Sequence, residues 1–257
     1  MKRRSLLVSY QTIVIREVTR FTRVWLRTLI PPAVTTGLYF IIFGTLMGER
    51  IGSMDGLPYS DFMMPGLLML SVVLCSYTNV ASSVFSSRFQ HYLDEILVAP
   101  IPDFVVISGF ITGGVIRGMM IAVIVLATSA MFVDISAWSW LLVIFTLFLS
   151  SVLFSAAGLV NALFAKNFDD ISIIPTLILT PLIYLGGVFY PVSMLPEKWQ
   201  AVTAMNPLFY VINATRAGFS GHCDTNIAFA FGVTLVSAAA MFLLALWLFH
   251  RGTGVKS

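Results

Sequence analysis

Charged residues are scarce in this chain of 257 residues. Asp, Glu, Lys and Arg make up 11% of it, whereas hydrophobic residues make up 58%. Soluble domains carry roughly 25% charged residues. A soluble protein of this length has too little interior to hide so much apolar surface. The composition therefore excludes an ordinary soluble fold and predicts a membrane protein.

Residue types that perform catalysis or bind metals are also few. Histidine occurs only at His91, His222 and His250, and cysteine only at Cys75 and Cys223. This spacing forms no metal site or disulfide framework. The tail Gly252–Ser257 lacks the glycine and the following helix of a phosphate loop. We therefore expect no catalytic residue, metal or cofactor in this chain, and no ATP bound to it.

Six apolar segments are long enough to cross a bilayer as helices, since each needs roughly 20 residues. We expect spans at about 30–48, 62–84, 105–132, 138–164, 171–189 and 227–249. No connecting loop exceeds about 40 residues, which is too short for an independent soluble domain. The sequence predicts a single all-α integral membrane domain over residues 1–257.

The basic residues are distributed unevenly. Seven of the 15 Lys and Arg residues lie in the first 27 positions. With the N-terminus in the cytoplasm, the inside stretches hold eleven Lys and Arg residues and the outside stretches hold three. The positive-inside rule then favours both termini in the cytoplasm. The positive charge thus indicates orientation in a lipid bilayer and not nucleic-acid binding.

Residues 1–28 have helical periodicity with two different faces. One face carries Val14, Val18, Phe21 and Trp25, and the opposite face carries Arg16, Arg20, Arg23 and Arg27. This pattern predicts an interfacial amphipathic helix whose arginines lie among anionic headgroups. We expect Pro31 and Pro32 to end it. The alternative is a helical extension of the first span.

Arg117 is the one charged residue inside a predicted span. It either snorkels or packs near the cytoplasmic end, or it forms an ion pair or contacts substrate. Small residues follow helical spacing nearby at Gly114 and Gly118. A similar stripe on the fourth span comprises Ser151, Ser155, Gly158 and Ala162. Both stripes are typical of close helix packing.

Two stretches depart from plain spanning helices. The loop 86–103 predicts a short amphipathic helix ended by Pro100 and Pro102, which would press Phe89, Leu93, Ile96 and Leu97 into a groove on a partner. From Gly186 onward, prolines and paired glycines predict a half-span and then a re-entrant segment within 190–226. Trp199, Phe209 and Tyr210 would lie at the outer interface.

These features together resemble ABC-2 type permeases, the membrane subunits of ATP-driven exporters. The resemblance rests on the order of the interfacial helix, the six spans, the loop Glu95–Pro100 and the segment from Gly187 to Arg216. It implies a coupling helix formed by Arg88, Phe89, Leu93, Asp94, Glu95, Ile96, Leu97 and Pro100. It also implies an extracytoplasmic gate formed by Gly186, Gly187, Phe189, Tyr190, Pro191, Leu195 and Pro196.

The resemblance further implies partners and a location. Two copies of a separate ATP-binding subunit would hold Mg-ATP, and a second permease subunit, expected as a homodimer, would complete the pathway. Export across a bacterial inner membrane would proceed by alternating access. An ion-coupled transporter would usually use intramembrane Asp, Glu or His, and a membrane-embedded enzyme would need clustered catalytic groups, neither of which the sequence shows. An ion-coupled secondary transporter and a scaffold without transport activity are the alternatives to an exporter subunit.

Overall fold

The structure is a computed structural model that describes residues 3–54, 56–221 and 223–252. Its first half contains α1 (Arg3–Thr22), α2 (Trp25–Tyr39) with a π-helical continuation (Phe40–Met47), α3 (Gly48–Ile51), the ribbon β1 (Ser53–Met54) and β2 (Leu57–Pro58), α4 (Tyr59–Phe89), α5 (Tyr92–Val98) and α6 (Asp103–Ser129). The strands pair antiparallel, with Ser53 opposite Pro58.

The second half contains α7 (Trp140–Phe164), α8 (Phe168–Ile173), a π-helical segment (Ile174–Leu179), α9 (Thr180–Leu185), a 3₁₀ turn (Val192–Met194), α10 (Glu197–Ala204), α11 (Pro207–Ser220) and α12 (Ile227–His250). His222 and residues 253–257 of the tail lie outside the described residues.

The predicted number of six membrane-spanning helices is confirmed. The helices of the described chain that are long and apolar enough to cross a membrane are Trp25–Met47, Tyr59–Phe89, Asp103–Ser129, Trp140–Phe164, Phe168–Leu185 and Ile227–His250. The chain is therefore an all-α membrane protein. Because Tyr92 contacts α1 and His250 contacts Asp103, α1, α5 and the end of α12 share one end of the bundle, hereafter the terminal end.

The core forms around α4, which is buried along most of its length between α6 and α7. The two predicted stripes of small residues face each other, as Gly114 contacts Ser155 and Gly118 contacts Ser151. A Cβ added at Gly118 would lie only 2.6 Å from the Ser151 hydroxyl oxygen. The packing role predicted for these residues is confirmed, because larger side chains would hold the helices apart.

The predicted end of the N-terminal helix was wrong. The α1 helix ends at Thr22, and the chain turns at Val24, whereas Pro31 and Pro32 lie inside α2. Membrane helices tolerate proline because neighbouring groups satisfy the carbonyls that lose their donors. Residues 1–28 are therefore not one helix, and α1 is not a straight extension of the first span.

Non-spanning structure follows α9. The chain turns at Gly187, whose φ of +87° is a conformation that favours glycine. The 14-residue α11 is about 21 Å long, too short for a ~30 Å hydrocarbon layer. Nearly all of α11 is buried, including Phe209, so the prediction that Phe209 lies at the outer interface was wrong. The α11 helix packs against α7, α12 and α4, whereas Trp199 on α10 is exposed.

Candidate functional site

The short helix α5 links two spans at the terminal end. Leu93 is fully buried against the chain's own core, and Ile96 is half-buried there. Asp94, Glu95 and Val98 are exposed on the other side. The prediction that Leu93 and Ile96 enter a partner's groove was therefore wrong. These residues anchor α5, and Asp94 and Glu95 on its acidic face are exposed.

The other residues predicted for the coupling helix have separate positions. Arg88 donates hydrogen bonds of 2.8–2.9 Å to the carbonyls of Ala162, Leu163 and Ala165, so it closes the C-terminal end of α7 and does not face a partner. Phe89 is exposed and stacks on Phe85, and Pro100 is also exposed. The side chain of Leu97 lies outside the described part of the molecule.

A buried carboxylate on α1 is the first site residue that the sequence analysis missed. Glu17 is 0% exposed, and its Cβ would lie 2.6 Å from a Cβ added at Gly113. Its Oε1 accepts a hydrogen bond of 2.7 Å from Ser83, and its Oε2 lies 3.1 Å from Arg20 Nη2. Arg16 Nε lies 4.0 Å from Oε1. Hence α1 docks on α4 and α6 through a paired buried charge.

The expected position of the arginines is corrected by this docking. Arg16 and Arg20 turn toward the protein and pair with Glu17, because an uncompensated buried carboxylate would be costly. Arg23 and Arg27 are exposed, but Arg23 lies in the turn after α1 and Arg27 lies on α2, so the four arginines do not share one helix. The flanking arginines on the same helix were the available signal for a buried Glu17.

Arg117 lies deep within α6. It is 14 positions beyond Asp103, about 21 Å along the helix axis. Its Nη1 donates to Asn79 Oδ1 at 3.1 Å, and Arg20 Nη2 donates to the same oxygen at 2.9 Å. The side chain therefore ends on Asn79 inside the bundle. We call Arg16, Glu17, Arg20, Asn79, Ser83 and Arg117 the Glu17 cluster.

Two clefts flank this cluster. The outer cleft, of about 880 Å³, lies between α1 and the end of α4 and is lined by Arg16, Arg20, Arg23, Ser83, Ser86 and Ser87, among others. The inner cleft, of about 490 Å³, is lined by Arg117, Thr78, Ser82, Pro175, Thr176 and Thr180, among others. The inner cleft thus lies between α4, α6 and the segment that runs from α8 to α9.

Contacts of Arg16 join the Glu17 cluster to α5. Its guanidinium lies 4.4 Å from the centre of the Tyr92 ring, within cation–π distance. Its Nη2 also donates to Ser87 Oγ at 2.6 Å. A displacement of α5 would therefore act directly on α1 and α4.

At the opposite end, the turn after α9 is held by side chains from two helices. Arg216 Nη2 donates to the Gly187 carbonyl at 2.6 Å, and its guanidinium lies 4.0 Å from the centre of the Phe62 ring. Tyr59 donates to the Phe189 carbonyl at 3.1 Å. A Cβ at Gly66 would lie 2.8 Å from Val188 Cα. This set of contacts, hereafter the latch, packs the turn tightly against α4.

The residues predicted for the gate lie in and beside the latch. Gly186, Gly187 and Pro191 are buried, Tyr190 and Leu195 are half-buried, and Pro196 is exposed. Phe189 contacts Tyr39 and Phe43 with ring centres 5.5 and 5.1 Å apart. This part of the molecule joins the ends of the first and fifth spans.

Arg216 is the second site residue that was missed, because the topology assigned it to an outside loop. It is 4% exposed and lies on α11. Asn206 begins this helix by accepting a hydrogen bond from the Leu208 N–H, and Pro207 occupies its first position. The sequence Asn206-Pro207 before an apolar run was therefore a readable helix start.

The arrangement offers polar binding and mechanical coupling between helices. Within the described residues, no group of three or more His, Cys, Asp or Glu side chains could hold a metal ion. A family model for ABC-2 type transporters matches residues 8–220. The chain belongs to the ABC-2 type transporter family.

Known proteins of two kinds are similar to this chain along most of its length. The inner membrane transport permease YadH of Escherichia coli K12 is 48% identical over 250 residues, which cover 97% of this chain and 98% of that protein. Nodulation protein J of Neorhizobium galegae is 25% identical over 220 residues, or 83% of this chain and 82% of that protein. Nodulation protein J of Rhizobium leguminosarum bv. viciae is 22% identical over 218 residues, 83% of each chain. The chain is therefore a membrane transport permease.

Proposed function

We propose that this chain is the permease subunit of an ATP-binding cassette exporter in a bacterial inner membrane. Two copies of a separate ATPase subunit would hold Mg-ATP, and a second permease copy would complete the translocation pathway. Family membership supports the ATPase partner, and similarity to an inner membrane transport permease supports the location. The excess of basic residues at the terminal end supports placing both termini in the cytoplasm.

The exposed acidic face of α5 carries this proposal. Asp94, Glu95 and Val98 face outward at the terminal end, while Leu93 fixes the helix to the core. A short helix anchored on one side and free on the other suits docking to a cytoplasmic partner. Carboxylates on its free side would select a partner surface of complementary positive charge.

The contacts of α5 suggest how ATP-driven motion would reach the transport pathway. Displacement of α5 would move Tyr92 against Arg16 and thereby shift α1 over the Glu17 cluster. At the other end, the latch would have to release the turn at Gly187 before substrate could leave. In alternating access, the terminal end would open while the latch is closed, and it would close while the latch opens.

The test uses full-length protein reconstituted in liposomes with its co-expressed ATP-binding subunit. The variant Glu95→Arg with Val98→Asp replaces one carboxylate on the exposed face of α5 with a cation and its exposed valine with a charged residue. We expect it to lower complex formation and ATPase activity about tenfold, since interface changes of this kind cost 1–2 kcal/mol or more. The variant Glu197→Arg, at an exposed acid on α10, is the matched control and should behave as wild type.

Two results would contradict the proposal. If no ATP-binding subunit associates with the chain, the coupling role of α5 is wrong and the scaffold alternative gains support. If a complex forms but the α5 variant retains as much ATPase activity as the Glu197→Arg control, the partner docks elsewhere.

A further inference from the structure

The charges of the Glu17 cluster do not balance. Glu17 is paired with Arg16 and Arg20, and a third guanidinium group, that of Arg117, joins the cluster through Asn79. Both oxygens of Glu17 are already engaged, by Ser83 and Arg20. Among the described residues, no carboxylate lies within ion-pair distance of Arg117. Arginine stays protonated in proteins, so the cluster carries excess positive charge inside the bundle.

The excess charge borders a cavity that can admit a ligand. Arg117 lines the inner cleft, whose volume of about 490 Å³ is within the range of small-molecule sites. Hydroxyl groups of Thr78, Ser82, Thr176 and Thr180 give the cleft a polar wall. Charged residues within spans usually face such cavities and mark substrate pathways.

The far wall of this cleft has irregular helical structure. Residues Ile174–Leu179 form a π-helical segment, and Thr180 donates its hydroxyl to the Pro175 carbonyl at 2.8 Å. π-Helical segments occur often at functional sites, and interrupted membrane helices recur at binding sites. The π-helical segment lies on a different element from the arginines, yet it lines the same cleft as Arg117.

The outer cleft would supply an approach for negative charge. Three arginines, Arg16, Arg20 and Arg23, line this cleft. Arg20 and Arg117 share the Asn79 oxygen, so the positive field is continuous from the outer cleft to the inner one. An anion drawn to the surface of α1 would thus meet a second cationic group deeper in the bundle.

We infer that the inner cleft at Arg117 binds the anionic group, a phosphate or similar oxyanion, of an amphiphilic substrate. This inference rests on the proposed transport function. The oxyanion would accept hydrogen bonds from the guanidinium and complete the charge balance of the Glu17 cluster. The apolar part of the substrate would remain in the bilayer beside α4 and the fifth span.

Binding can be measured on the full-length permease alone, in nanodiscs of zwitterionic phosphatidylcholine. The probe is radiolabelled dodecyl phosphate, with dodecyltrimethylammonium as a cationic competitor of equal chain length and inorganic phosphate as a free oxyanion. We expect saturable binding that Arg117→Gln weakens about tenfold or more, because a hydrogen bond to a charged group is lost. Arg117→Lys should retain binding, since it keeps the charge.

The matched control is Arg50→Gln, which removes an exposed arginine far from both clefts and should bind as wild type. If unlabelled dodecyl phosphate displaces the labelled probe far better than inorganic phosphate does, the ligand is an amphiphile and not a free anion. Equal competition by inorganic phosphate supports an anion site but overturns the amphiphile. Unchanged affinity in Arg117→Gln, or equal binding of the ammonium amphiphile, overturns the site.

The two proposals can fail separately. If dodecyl phosphate binds but no ATP-binding subunit associates, the transport mechanism is wrong and the site stands. If the complex hydrolyses ATP but Arg117→Gln binds the probe as tightly as wild type does, the site is wrong and the transport mechanism stands. Stimulation of the ATPase by dodecyl phosphate would identify the ligand as a substrate, whereas tight binding with no stimulation overturns its role as cargo.

Discussion

Two arginines inside this bundle, the buried Arg216 of the latch and the half-buried Arg117 of the Glu17 cluster, have different neighbours. At the latch, Arg216 bonds the Gly187 carbonyl, lies on Phe62, and has Asp224 3.9 Å away. In the Glu17 cluster, Arg117 shares one amide oxygen with another arginine and borders an open cleft. The first arrangement holds a turn in place. The second leaves positive charge for a ligand to neutralise.

Removal of the Glu17 carboxylate should cause the largest loss of stability. We expect Glu17→Leu to lower the free energy of unfolding by about 2–3 kcal/mol, because it leaves Arg16 and Arg20 without their anion. The value is below that for a fully buried pair, since these arginine side chains are 32% and 35% exposed. Unfolding in detergent–lipid micelles measures it, with Glu197→Leu as control. Equal stability of the two variants would show that α1 is not held by this charge.

The latch should respond to loss of its arginine almost as strongly. We expect Arg216→Met to cost about 2 kcal/mol, because the Gly187 carbonyl loses a charged donor and Phe62 loses its cation. Arg216→Lys should cost less, since it retains the charge. Limited proteolysis of the segment 186–196 should accelerate in Arg216→Met. An unchanged cleavage rate would contradict the role assigned to the latch.

A pair of glycines tests how closely α1 must approach α6. Gly113→Ala should cost about 1–3 kcal/mol, because the added Cβ would lie 2.6 Å from that of Glu17. Gly232→Ala on α12 meets nothing within 4 Å and should stabilise the helix by up to about 1 kcal/mol. Thermal unfolding of the two variants side by side gives the sign of each effect. If both variants are less stable than wild type, the cost comes from replacing a helical glycine and not from the close approach of α1 to α6.

The smallest effect on stability should come from Arg117. Its replacement by Gln is expected to change the free energy of unfolding by less than about 1 kcal/mol, since the change removes uncompensated charge. Asn79 keeps Arg20 as a donor, so no buried acceptor is orphaned. The same micelle unfolding assay applies. A loss as large as that of Arg216→Met would make Arg117 a structural residue and remove the contrast between the two ends.

Much of the fold was predictable because hydropathy and length alone determine which segments can cross a bilayer. All six spans occur where the apolar segments predict them, and the small residues on α6 and α7 pack as expected. The interruption of the chain near Gly187 was also predictable, since proline and paired glycine interrupt spans. These signals are local, so they survive without knowledge of neighbouring helices.

The placement of individual side chains was less predictable. The amphipathic pattern of α1 assigned Arg16 and Arg20 to lipid headgroups. Instead, both pair with Glu17, which bonds Ser83 66 positions away, and Arg20 bonds Asn79 59 positions away. Leu93 was expected at a partner, but α4 and its neighbours bury it. Periodicity identifies which residues share a helix face, but it does not identify what that face meets.

By itself, the sequence determined that this protein is a six-span helical membrane permease with a short polar helix between its second and third spans. Composition, segment length and residue order carry that information along the chain. Only the tertiary structure decided that Glu17 is buried, that Arg216 holds a turn, and that Arg117 faces a cleft with unbalanced charge. Those outcomes depend on contacts between distant segments, because burial and charge balance are properties of neighbours in space.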